Sequence, residues 1–156
     1  MQKLLVANFL LLSFFGFSQN ANLILQVNGK IVVNDFANVY LKFDLEGNSK
    51  KINVDYLPGD LKLTEEVWRI INSQPEKKFL LHVDYYTYKN GKQEIANFDL
   101  ELSKYLLEQN YLIADIYDFR DKSYKRKYQY ITDKNYLVQF YWSPENGVHG
   151  IYVPRK

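Results

Sequence analysis

The chain has two histidines and no cysteine, which removes thiol nucleophiles, disulfides and cysteine-based zinc sites together. His82 is the more informative histidine. It stands two residues before Asp84 in an alternating run, and Asn90-Gly91 is a strong two-residue turn signal that folds this run back on itself. Counting from the turn brings Asp99 directly opposite His82. A carboxylate beside an imidazole orients the ring and favours its charged form, so His82, Asp84 and Asp99 could form a general base or part of a metal site. The plainer expectation is a solvated cross-strand pair, because no third strong ligand follows at a telling spacing. Serine and threonine remain as nucleophiles, yet none lies in a Gly-x-Ser-x-Gly elbow. No catalytic residue, metal or cofactor is assigned. An enzyme built on His82, Asp84 and Asp99 stays as an alternative.

A second grouping comes from the last third of the chain. Read as a meander, that stretch puts Tyr117, Arg126, Trp142 and His149 in one row across four strands. Arg126 beside Trp142 would make a cation–π contact of about 0.5–1 kcal/mol if exposed. In a barrel the row would rim a cavity, with Arg126 the natural anchor for a carboxylate or phosphate. In a sandwich it would be a polar rim with a snorkelling arginine.

Aromatic surface gives the third grouping. The chain has 14 tyrosines. Alternation places Tyr86, Tyr88 and Ile95 on the polar face of their hairpin, and Tyr141 and Tyr152 on that of the meander. Tyrosine is enriched at interfaces, and apolar surface on a solvated face needs a cover. The cover is either a second layer of the same molecule or a partner.

These groupings depend on the elements that carry them. Around Asn90-Gly91 the pairs Tyr85/Ala96, Val83/Phe98, Leu81/Leu100 and Phe79/Leu102 form one apolar face, while Asp84/Asn97, His82/Asp99 and Leu80/Glu101 form a mostly polar one. Turn and pattern agree without adjustment. A turn at Gly47-Asn48 pairs Phe43 with Ile52 and Leu41 with Val54, and sets Asp44 across from Lys51. The meander predicts strands near 111–119, 123–131, 136–142 and 148–153, with Tyr130 by Val138, Tyr128 by Phe140, Phe140 by Ile151 and Val138 by Val153. Asn28-Gly29 marks either a tight hairpin or a bulged strand. Thr64 caps a helix over 65–72, and Ser103 caps another over 104–109. The expected fold is mainly β: an antiparallel sandwich or up-and-down barrel of 8–10 strands with two short helices, in one domain over 19–156.

The beginning of the chain predicts its destination. Lys3 precedes an apolar run from Leu4 to Phe17, and Gly16 and Ser18 put small residues at −3 and −1 before Gln19. This order is that of a cleaved secretory signal peptide over 1–18, and the run is shorter than the roughly 20 residues of a membrane span. Export to the periplasm or beyond is expected, with no membrane insertion after cleavage. The formal net charge is only +2, and alternation sends Lys125 and Lys127 to the face opposite Arg126, Tyr124, Tyr128 and Tyr130. Nucleic acid is therefore not an expected partner. The leading expectation is a non-enzymatic binding or structural module that meets a protein or glycan. A small-molecule carrier barrel is the alternative.

Overall fold

The computed structural model describes residues 20–89, 91–143 and 149–150, the side chains at 89, 149 and 150 excepted. The expected signal peptide, Tyr152, and the pairings given to Ile151 and Val153 lie outside these residues. Among the described residues the strands are β1 Leu23–Val27, β2 Lys30–Ile31, β3 Phe36–Leu45, β4 Asn48–Asn53, β5 Asp55–Leu57, β6 Asp60–Lys62, β7 Phe79–Lys89, β8 Lys92–Leu102, β9 Leu112–Asp118, β10 Tyr136–Trp142 and β11 His149–Gly150. The helices are α1 Glu65–Ser73, α2 Lys104–Leu107 and α3 Lys122–Tyr128, and α3 runs into a 3₁₀ turn at Gln129–Ile131.

The strands form two packed sheets and a small ribbon. One sheet has the order β11-β10-β9-β1-β2, the other β4-β3-β7-β8, and β5 pairs with β6. Among the described residues there is no closed barrel, so of the two architectures the sandwich is the one found. The five-stranded sheet is mixed, because β1 runs parallel to β9, from Leu23↔Leu112 to Val27↔Ile116. A hairpin-by-hairpin reading cannot see a pair so distant in sequence. Alternation does the packing. Leu23, Leu25, Ala114, Ile116 and Phe140 of one sheet meet Leu41, Leu81, Val83, Phe98 and Leu100 of the other in a single buried cluster. Each large side chain fully buried there contributes about 1.5–3 kcal/mol of hydrophobic stabilisation.

The β7–β8 hairpin has the expected register, with His82↔Asp99, Val83↔Phe98 and Lys89↔Lys92. Asn28 and Gly29 both take positive φ, 54° and 76°, so that turn is a tight hairpin and not a bulge. The β3–β4 hairpin turns one residue earlier than expected, which shifts every cross-strand partner by two. Its closing pair is Leu45↔Asn48, and Glu46 and Gly47 adopt φ of 52° and 83°. Leu41 therefore faces Ile52, and Lys42 faces Lys51. Because the slip is two residues and side chains alternate with period two, no side chain changes face. The expected Asp44/Lys51 pair is lost, and Lys51 instead lies 4.8 Å over the Tyr40 ring.

The strand expected over 123–131 is a helix and a 3₁₀ turn. Asp121 caps it, accepting a hydrogen bond from the Ser123 amide at 2.8 Å, and β10 pairs directly with β9 through Val138↔Ile116 and Phe140↔Ala114. The expected contacts Tyr130 with Val138 and Tyr128 with Phe140 are replaced. Helices α1 and α2 form behind their expected caps, Thr64 and Ser103. The ribbon closes an edge of the first sheet: past the end of β2, the Leu25 amide donates to the Tyr56 hydroxyl at 2.7 Å. Burial pushes the Tyr56 phenol up to about 12, against the lowering influence of that hydrogen bond.

Candidate functional site

Strands β7 and β8 place His82, Asp84 and Asp99 on the outer face of the four-stranded sheet, as alternation and the Asn90-Gly91 turn require. The imidazole lies between two carboxylates, Nδ1 at 2.7 Å from Asp99 Oδ1 and Nε2 at 3.0 Å from Asp84 Oδ1. Tyr40 of β3 stacks on the ring with centroids 4.5 Å apart. Asp84 is buried and also accepts hydrogen bonds from Asn38 at 2.6 Å and Asn97 at 2.5 Å. Asn38 reaches it because β3 slips register between Ala37 and Tyr40, with Asn38 at a positive φ of 47°. A bulge of this kind re-aims a side chain. Burial alone would raise the Asp84 carboxyl, and it is the largest single influence. The hydrogen bonds from Asn38, His82 and Asn97 together outweigh it and hold the carboxyl below its usual range.

The groups of this cluster engage one another along the wall of an open cleft of about 590 Å³, which Lys51 and Asn53 also line. A general base needs a nitrogen lone pair free for substrate, and both ring nitrogens of His82 already face carboxylates. One face of the ring is covered by Tyr40. Among the described residues no three His, Asp or Glu side chains are grouped to hold a metal ion. The arrangement orders these side chains on the sheet surface, and Tyr40, Asn38 and Asn97 are partners that hairpin counting did not bring to it.

The expected row of Tyr117, Arg126, Trp142 and His149 does not form. Trp142 does pair with His149, in the register expected, but Trp142 lies opposite Leu112 and Tyr117 lies opposite Leu137. The two rings stand at opposite ends of the same strand pair. Arg126 is exposed on α3, because the segment carrying it coils instead of extending. Tyr117 is buried under that helix, 5.3 Å from the Tyr124 ring and 4.6 Å from the Tyr128 ring. Burial, joined by the hydroxyl contact to Tyr141, raises the Tyr117 phenol far above its ordinary value. Tyr141 is half-buried beside it, so one of the two outer faces has its cover inside the molecule.

Among the described residues no such layer covers the other outer face near the β7–β8 tip. Tyr86 is half-buried and pairs with Ile95. Tyr88 is 76% exposed and Ile95 53% exposed, which marks the pair as the open end of this face. Behind it Arg120 ties the two sheets together. Its guanidinium grips Asp118 at 2.7 Å through Nε and 2.6 Å through Nη2, lies 5.9 Å over the Tyr85 ring, and reaches Glu94 of β8 at 4.0 Å. In sequence Arg120 is one of five nearby basic residues, and nothing there distinguishes it from Arg126.

In comparisons with protein-family models, curated proteins and solved structures, nothing matches the chain.

Proposed function

We propose that this protein is an exported, non-enzymatic binding module that meets a partner protein on the outer face of its four-stranded sheet, centred on Tyr86, Tyr88 and Ile95. The observation that carries the reading is the contrast between the two outer faces. Helix α3 covers Tyr117 on one, whereas Tyr88 and Ile95 remain exposed on the other. An aromatic ring beside an exposed aliphatic side chain supplies contact area at low entropic cost. A glycan is the less favoured partner, since sugar recognition needs free polar groups beside the ring. Here the Asp84 carboxylate is occupied by Asn38, His82 and Asn97. Export rests on Lys3, the apolar run Leu4–Phe17 and the small residues Gly16 and Ser18.

The test is a paired measurement on Tyr88→Ala with Ile95→Ser. Both side chains lie largely in solvent, so the melting temperature should move by no more than about 2–3 °C. A partner captured from the exported fraction by the unmodified protein should be captured at least about tenfold less by the variant, equivalent to about 1.4 kcal/mol. Equal capture by the two proteins would remove the reading. A large fall in melting temperature would assign Tyr88 and Ile95 to the core.

A further inference from the structure

Strand β8 ends its sheet, with β7 as its one neighbour. The Asp99 amide donates to the Tyr136 hydroxyl at 2.9 Å, and that hydroxyl donates to the Asp99 carbonyl at 3.1 Å. Both main-chain groups of Asp99 thus point away from β7. An antiparallel ladder alternates with period two, so the amides and carbonyls of Ile95 and Asn97 point the same way. Among the described residues no strand pairs with them on that side.

This bare edge opens into a cleft of about 600 Å³, walled on the far side by Phe119, Arg120, Lys125 and Lys134. The acids nearest it are already engaged: Asp118 by Arg120 and Asp99 by His82. Among the described residues neither Lys125 nor Lys134 has a carboxylate partner, and Lys134 rests 5.3 Å over the Tyr136 ring. The cleft therefore combines an unpaired strand edge with two ammonium groups that, among the described residues, have no carboxylate partner.

We propose that this cleft takes an extended acidic peptide segment as an added strand on β8, its main chain bonded at Ile95 and Asn97 and its carboxylates facing Lys125 and Lys134. Strand addition draws affinity from main-chain hydrogen bonds and specificity from alternate side chains. The Tyr136 hydroxyl stops the pairing at Asp99 and so limits the register. The exposed Ile95 side chain offers apolar contact on the face it shares with Tyr88. The proposal deepens the binding reading by naming a partner class. The two can fail separately, because Tyr88→Ala alters the face and leaves the β8 edge intact.

The experiment titrates the full protein with an acetylated, amidated octapeptide alternating valine and glutamate, followed by amide NMR, with the valine–lysine peptide as control. The expected result is shift changes and slowed exchange at the Ile95 and Asn97 amides, affinity at least about tenfold above the control, and weakening as salt screens the contacts. Ile95→Pro removes an edge donor without removing a β7–β8 hydrogen bond, and should abolish the shift changes. Lys125→Glu with Lys134→Glu leaves the strand untouched and should reverse the preference between peptides. Equal affinity for both peptides, no change at about 1 mM acidic peptide, or unchanged preference in the double-glutamate variant overturns the proposal. So does a concentration-dependent dimer whose Ile95 and Asn97 amides are protected without peptide, because a second copy would then occupy the edge.

Discussion

His82 joins two strands at the level of single side chains, and its removal should be felt in stability. Asp84 is buried and Asp99 is half-exposed, and both lose an imidazole partner in His82→Ala. Leaving a buried carboxylate short of a partner destabilises by about 1–3 kcal/mol. We expect a loss in that range by chemical denaturation at neutral pH; a change within about 0.5 kcal/mol, the size of an ordinary surface substitution, would mean that the cluster is solvated decoration. Acid provides a second check at the same residue. The folded Asp84 carboxyl is held below its unfolded value of 3.8. Its stabilising contribution is therefore complete above that value and disappears as pH falls through the lower folded value. Asp84→Ala should be less stable at neutral pH and should show a shallower acid limb than the unmodified protein. Parallel limbs below pH 3.8 would exclude Asp84 as a source of the acid sensitivity.

Turns and caps decide what each element becomes. Glu46 occupies a left-handed position, φ 52°, ahead of Gly47 in the β3–β4 turn. Asparagine tolerates that conformation better and favours the same two-residue turn. Glu46→Asn should therefore raise stability by about 0.5–1 kcal/mol, measured as a higher denaturation midpoint with an unchanged slope. A lower midpoint would show that the turn is not the two-residue one. The element scale also shows what the sequence could and could not disclose. The β7–β8 register was legible because Asn90-Gly91 and the apolar pairs fix the same alignment independently. At β3–β4, Gly47 serves equally as the first or second turn residue, and the apolar pattern cannot distinguish registers two apart. Over 122–128 the ambiguity is one of period: Tyr124 and Tyr128 share a face in a strand and on a helix alike. Arg126 was the discriminating residue. A strand sends it to the tyrosine face, whereas the helix leaves it in solvent while Asp121 caps the first turn. Asn38 at its bulge and the parallel β1–β9 pair left no local signal strong enough to read.

Across the whole molecule, the two sheets are joined by their apolar cluster and by polar latches at one end. Tyr136 of β10 bonds the main chain of Asp99 on β8, and Arg120, just past β9, joins Asp118 at the end of that strand to Tyr85 and Glu94 across the sheets. These latches brace the end of the sandwich that carries Tyr88, Ile95 and the open β8 edge. A braced end can present side chains to a partner without ordering them first, which lowers the entropic cost of association. The outer face and the edge cleft share Ile95, so a partner could engage ring, aliphatic side chain and strand edge together. The most direct measurement places a photo-reactive benzoylphenylalanine at position 88 and, separately, at position 76 on the far side of β7 in the chain. Irradiation in the presence of the exported fraction should yield one discrete cross-linked species from position 88 and none from position 76. The same species from both positions, or none from position 88, would contradict the claim that this face binds a partner.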